Sequence, residues 1–183
     1  MKSTIYAADY VRNQDPETNV VRVRPASPED QEGLRRMLSC LSRESVYLRF
    51  HAPLPRAPEW AAAMFANSDR RYGESLVAVA DGEVVGHAMY VRLDAGDSAE
   101  FAIVVEDRCQ ARGIGKLLLS ALAERAGREG VKSFTGAVLG ENRPMFGLAR
   151  SVFERVRYAR EDGAYAVSVT LPDSSSSPLE LSA

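Results

Sequence analysis

The period of hydrophobic positions changes several times along the chain, and each change marks an element. From Val20, "VVRVRP" alternates apolar and basic residues and then meets a proline, the pattern of a short strand. "SPEDQEGLRRML" follows, with Ser27 as N-cap, Pro28 at the first helical position and Asp30 placed for a capping box, which predicts a helix. "SRESVYLRFH" mixes helical and aromatic residues. The proline-rich "APLPRAPEW" interrupts it before "PEWAAAMFAN" resumes as a short helix. Together these segments predict a two-helix arm over a groove.

"ESLVAVADGEVVGHAMYVRL" holds two apolar, β-branched runs joined by Asp81-Gly82, a strong hairpin signal. After the turn "DAGD", "SAEFAIVVED" reads as a third strand of the same sheet. "VVEDRCQARGIGKLLLSAL" then runs from that strand through a charged, glycine-bearing loop into a helix with Ile114, Leu117, Leu118, Ala121 and Leu122 at its apolar positions. "VKSFTGAVL" is the next strand, and strand-helix-strand implies a right-handed crossover and a parallel pair. "ENRPMFGLARSVF" predicts another helix, and "ERVRYAREDGAYAVSVTLP" a closing hairpin turning at Asp162-Gly163.

The expected fold class is therefore α/β: a mixed sheet, antiparallel at its centre, flanked by helices, with a parallel pair around the helix that starts near Ile114. An all-parallel nucleotide fold does not fit. Residues 1–19 lack a sustained period and are expected to be a flexible leader, residues 20–172 one domain, and residues 173–183 a disordered tail.

Composition narrows the function. Acidic and basic side chains nearly cancel, to a formal charge of -2, and no long basic run could neutralise a nucleic-acid backbone. The N-terminus lacks the apolar core of a signal peptide, and no uninterrupted apolar run is long enough to span a bilayer, so a cytoplasmic protein without membrane partners is expected. Cys40 and Cys109 suggest no disulfide framework, and no His/Cys cluster has metal-ligand spacing.

The chemistry-bearing stretch is Gln110, Ala111, Arg112, Gly113, Ile114, Gly115, Lys116. Glycines there let backbone amides approach a ligand, and the helix that follows aims unpaired N–H groups and its positive dipole end at the loop, a ready phosphate site. Two glycines alone also suit a plain tight turn. The P-loop pattern is absent, and Leu118 occupies the third glycine slot of a dinucleotide fingerprint.

With Gln110, Arg112, Gly113 and Gly115 in register, the stretch resembles the Q/R-x-x-G-x-G/A signature of the GNAT superfamily of acyl-CoA-dependent N-acyltransferases. The resemblance extends over the element order from about Val20 to Leu171, and "VLGENRPM" is similar to a later motif in which an asparagine, here Asn142, faces the cofactor arm. "LSRESVYLRF" followed by "AEFAIVVEDRCQARGIG" resembles bacterial Pat-type protein-lysine acetyltransferases. The resemblance implies that acetyl-CoA is the acyl donor, with its pyrophosphate on the backbone of Gln110–Gly115. Arg112 and Lys116 would assist, and backbone groups of Val104 and Val105 would pair with the pantetheine arm like an added strand.

Transfer to an amine needs a neutral nitrogen, whereas a free lysine has a pKa of about 10.4, so a general base is useful. Glu100 opens the apolar strand "EFAIVV", five residues or roughly 17 Å of extended chain before Val105. The resemblance implies that Glu100 is the base. Glu106 and Asp107 are expected to be turn and surface residues, and His87 a structural histidine. The tyrosine that many family members use to protonate the leaving thiolate is replaced by Ala149, leaving Tyr47, His51 or a water as substitutes. Ser45, Tyr47 and Arg49 are expected to shape the acceptor groove.

Three functions follow from this reading: acetylation of a primary amine, with a protein lysine as the leading acceptor; the same chemistry on a small amine or amino acid; or a non-catalytic acyl-CoA-sensing module.

Overall fold

The computed structural model describes residues 10–13, 20–67, 69, 71–93, 97–161 and 163–171. Eight strands form one sheet in the order β1-β2-β3-β4-β5-β6-β8-β7. They are β1 (Tyr10–Asn13), β2 (Val20–Pro25), β3 (Gly73–Ala80), β4 (Glu83–Arg92), β5 (Ser98–Val105), β6 (Ser133–Leu139), β7 (Val156–Glu161) and β8 (Ala164–Thr170). Every neighbouring pair is antiparallel except β5 with β6, which is parallel as the crossover predicts. Asp81 and Gly82 both take positive φ, which lets a two-residue turn follow the twist of β3 and β4. The closing hairpin folds back so that β8, not β7, lies beside β6.

Within the leader expected over residues 1–19, Tyr10–Asn13 pairs antiparallel with Val20–Val23 as β1, a strand that the sequence reading did not include, and extends the sheet by one strand. The short alternating signal there was diluted by the polar residues around it. The rest of residues 1–19, the tail 173–183 and Asp162 of the predicted turn lie outside the described residues.

Helices cover both faces. On one lie α1 (Gln31–Ser39), α2 (Arg43–Phe50) and α3 (Trp60–Ala66). Leu34, Met37, Phe65, Val77 and Val104 form the core beneath α1 and α3. On the other lie α4 (Ile114–Arg128) and α5 (Arg143–Val152), over a larger core that includes Val21, Leu76, Tyr90, Phe101, Leu118 and Phe134. Side chains alternate faces along β5, so Ala99 and Phe101 face α4 while Val104 faces α1 and α3.

The predicted caps are present in altered form. The backbone N–H and the hydroxyl of Ser27 both donate to Asp30, 2.9 and 3.2 Å away, and a single 3-10 turn over Pro28–Asp30 leads into α1. Arg24 holds the same carboxylate through two hydrogen bonds of 2.7 and 2.6 Å, fastening the start of α1 to β2. The α4 pattern understates its burial: besides the five predicted positions, Leu119, Ala123 and Ala126 are also inside.

Glu74 of β3 and Arg125 near the end of α4, each less than a tenth exposed, pair at 2.6 Å. Removing one partner breaks a buried ion pair and leaves the other charge less compensated in the core. Glu74→Ala should therefore lower unfolding free energy by about 3–5 kcal/mol in urea titration, while Glu74→Leu combined with Arg125→Met should recover most of it.

Candidate active site

The site is set by a fork in the sheet. β5 pairs with β4 along its length, from Ala99 opposite Arg92 to Val105 opposite Gly86. With β6 it pairs only at Ser98, Ala99 and Glu100, opposite Ser133, Phe134 and Thr135. Beyond Glu100 the two strands diverge, and β6 continues against β8. One backbone edge of Phe101–Val105 is thus left without a strand partner, the condition under which an extended, amide-bearing chain can add to a sheet. Phe134 anchors the vertex from the α4 side, its ring 5.5 Å from Phe101 and 5.7 Å from Tyr90.

At the wide end of the fork stands the glycine loop. Ala111 (φ 58°) and Gly113 (φ 79°) are both left-handed, a conformation that costs a non-glycine residue roughly 1–2 kcal/mol. Gly113 is the N-cap of α4, and no side chain caps the first turn. No acidic residue is present there, and Lys116 is exposed in that turn, where a cation opposes the helix dipole. An uncapped, acid-free helix start with a lysine on it suits a bound polyanion. Gly115 has a packing role: a Cβ there would stand 3.3 Å from Leu148 of α5. Ile114 is buried, and Arg112 is exposed. The donor set and the open β5 edge therefore fit a long cofactor with a phosphate end and an amide arm.

Glu106 is not the surface residue expected, whereas Asp107 lies exposed in a short 3-10 turn, as expected, and there makes contacts that the sequence did not show. Glu106 is 2% exposed and pairs with Arg36 of α1 at 3.1 Å and with the Arg108 side chain; Arg36 also donates to the Val84 carbonyl. Arg108 reaches Glu83 at 2.6 Å, so this network clamps α1, the β3–β4 turn and the loop together. Asp107 takes the start of α2. It accepts from the Ser42 N–H (3.0 Å), the Ser42 hydroxyl (2.6 Å) and the Ser45 hydroxyl (2.9 Å). Gln110 completes the clasp by donating to Ser45 Oγ at 3.2 Å and to the Val105 carbonyl at 3.0 Å. Sequence reading missed the burial of Glu106 and the partners of both carboxylates because those partners lie on distant elements, although the serines at the start of α2 were an available sign of a cap.

At the narrow end, Glu100 is exposed, on the face of β5 that looks toward α2. Arg49, in the last turn of α2, stacks over Phe50 and Phe65 at 5.1 and 5.2 Å, with Nη2 3.9 Å from the Met89 sulfur. Burial pushes its guanidinium down to about 10, opposed by Glu100, so it stays cationic at neutral pH. Ser45 and Arg49 thus mark the two ends of one helix lying along the fork, while Tyr47 between them is half-buried.

His87 is fully buried and stacked on Phe65, with ring centroids 3.9 Å apart. The Ser75 hydroxyl lies 2.6 Å from the Phe65 carbonyl, to which it donates, so it accepts from His87 Nε2 at 2.7 Å. Nδ1 is then a bare acceptor, and it has no hydrogen-bond partner. Burial, with Arg49 nearby, holds His87 well below its ordinary value, so it is neutral.

Asn142 is the N-cap of α5, its side-chain oxygen accepting from the Met145 N–H at 3.1 Å. Ala149 is buried against Val138 and Val167, so no hydroxyl projects from that position. His51 is exposed and closes α2 in a left-handed conformation.

The sheet thus forks beside an uncapped, glycine-turned helix start. Residues 36–154 match the Acetyltransferase (GNAT) family, and the chain belongs to that family. It is 32% identical over 166 residues to Acetyltransferase Pat of Mycolicibacterium smegmatis, a match covering 86% of this chain and 48% of that protein. The chain therefore spans about half the length of that relative. The crystal structure of the GNAT domain of S. lividans PAT superposes with a TM-score of 0.77 at 31% identity, covering 83% of this chain and 91% of that one. A phosphinothricin acetyltransferase from Sinorhizobium meliloti, solved in complex with AcCoA, shares the fold at 19% identity and a TM-score of 0.67, over 88% of this chain and 94% of its own. Among the described residues no helix is long and apolar enough to cross a membrane.

Burial raises the Asp107 carboxyl, but the hydrogen bonds from Ser42 and Ser45 outweigh it, so its net shift is downward. A depressed folded-state value means its stabilisation is complete above the ordinary Asp value of about 3.9 and is lost as pH falls through the lower folded value. Asp107→Asn should abolish that acid-dependent component. At neutral pH the protection factors of amides in the first turn of α2, corrected for the intrinsic exchange rate, should fall in the variant relative to wild type.

Proposed function

We propose that the chain transfers an acetyl group from acetyl-CoA to a primary amine, with a protein lysine as acceptor, by direct attack assisted by Glu100 as general base. One observation carries this reading: β5 alone joins an exposed carboxylate at the vertex of the fork to a phosphate-type helix start at its mouth. The five residue steps from Glu100 to Val105 span roughly 17 Å, a length suited to an arm whose phosphates rest at the loop and whose thioester lies near Glu100.

Acetyl-CoA is the donor, and it supplies the activated acyl group. The backbone N–H groups of Gln110–Gly115 and the first turn of α4 hold its pyrophosphate, assisted by Arg112 and Lys116. Backbone groups of Val104 and Val105 align the arm, and Asn142 faces it from the start of α5. Glu100 takes a proton from the incoming ammonium, freeing the nitrogen lone pair to form the amide bond as the carbon–sulfur bond breaks. With Ala149 in the usual tyrosine position, the thiolate draws its proton from solvent. The lysine acceptor follows from the likeness to Pat-type proteins, and Ser45, Tyr47 and Arg49 on α2 border the acceptor side.

Glu100→Gln should leave the acetyl-CoA dissociation constant within about twofold while lowering kcat at neutral pH by about 10²–10⁴, the usual contribution of a general base. Unchanged turnover would remove Glu100 from the mechanism. Gly113→Val should have the opposite profile: a branched side chain at φ 79° strains the loop and crowds the phosphate site. Calorimetry should show acetyl-CoA affinity falling by at least tenfold while circular dichroism stays that of the folded protein.

A further inference from the structure

Two arginines that reach the interior, the buried Arg125 and the partly exposed Arg36, are paired with carboxylates. Arg125 has Glu74 at 2.6 Å, and Arg36 has Glu106 at 3.1 Å. Arg49 breaks the pattern: it has no carboxylate within ion-pair distance among the described residues. Its surroundings are two aromatic faces and a thioether, and its buried Nε–H has no acceptor. Such a desolvated cation is costly unless an anion joins it. The groups that face it from the sheet offer no close partner. His87 on β4 is neutral, and Glu100 on β5 stands farther away than a salt bridge.

The register places this cation relative to Glu100. Met89, which Arg49 touches, lies opposite Ala102, and Glu100 lies opposite Val91 on the same sheet face. Met89 and Glu100 are therefore diagonal neighbours, about 7–8 Å apart on an antiparallel pair. An anionic and a cationic group thus stand side by side on the acceptor side of the fork, Glu100 exposed and Arg49 only partly so. A ligand that presents an ammonium beside a carboxylate complements both.

We propose that Arg49 is an anion subsite which, together with Glu100, selects acceptors carrying a carboxylate next to the reacting amine. The inference rests on Glu100 marking the acceptor end of the fork. The carboxylate is either the acceptor's own, as in a free amino acid, or an acidic residue flanking a target lysine.

CoA release measured on two matched acceptor pairs tests this. One pair is a lysine peptide with a neighbouring glutamate and the same peptide with glutamine; the other is free lysine and cadaverine, which lacks the carboxylate. Wild type should favour the acid-bearing member of at least one pair by about tenfold or more in kcat/KM, mainly through KM. That ratio should collapse to within twofold in Arg49→Met and partly return in Arg49→Lys. The peptide pair reports a flanking residue and the small pair the acceptor's own carboxylate.

Equal use of both members of each pair by wild type overturns the subsite, as does a preference that survives Arg49→Met. Neither result touches the role of Glu100, which the Glu100→Gln rate tests separately. If no acceptor turns over, the fluorescence of Trp60 decides. It is the only tryptophan, and its ring sits edge-on to Phe50, 6.3 Å away. Glutarate, but not glutaramide, should perturb it in the CoA-loaded protein, and only while Arg49 is present. An equal response to both compounds, or to neither, overturns the proposal.

Discussion

The site depends on the early end of one strand pairing. Parallel β5 and β6 share only three residue pairs before they part, and the parting leaves a run of backbone groups without a sheet partner. In most folds such an edge is a liability. Here it lies inside the sheet rather than at its border, with β6 held away by a full ladder to β8. The vertex is fixed by buried aromatic contacts among Tyr90, Phe101 and Phe134, and the fork cannot close without disrupting that core.

The two walls of the fork are held by different physics. The wall formed by α4 is apolar and stiff: the helix is buried on nearly all sides, and Gly115 lets α5 approach within van der Waals contact. Stiffness keeps the uncapped N–H groups pointed at one place, which matters because oriented dipoles act best when they need not reorganise. The wall formed by α2 hangs from polar contacts. α2 buries only Val46 fully, and it is joined to the loop by Asp107, Ser42, Ser45 and Gln110. Helices held by few apolar contacts lie at the mobile end of a protein's stability range.

Much of the fold was legible because its signals are local. The Asp81-Gly82 hairpin, the apolar period of α4 and the strand-helix-strand crossover each depend on neighbours in sequence. The Tyr10–Asn13 strand was not legible, since its stability comes from pairing with β2 rather than from its own four residues. The glycine loop was legible as a motif, and the structure explains it unevenly: Gly113 is there for its backbone angle, Gly115 for helix packing. Glu106 could not be read correctly, because its burial is created by Arg36, seventy positions away. Arg49 was legible as a candidate acceptor-groove residue, but its setting was not: only the rings of Phe50 and Phe65 and the Met89 sulfur reveal how little counter-charge it has.

The Asp107 clasp has a consequence for how such domains can diverge. On the proposed reading acceptor choice would evolve through α2, yet the first turn of that helix is written partly in the loop before α4. A new α2 without hydroxyls at positions 42 and 45 would leave the Asp107 carboxylate without its donors, and a new loop without Asp107 would release the helix. The two segments therefore form one heritable unit although some sixty residues separate them, and exchange between relatives should carry them together.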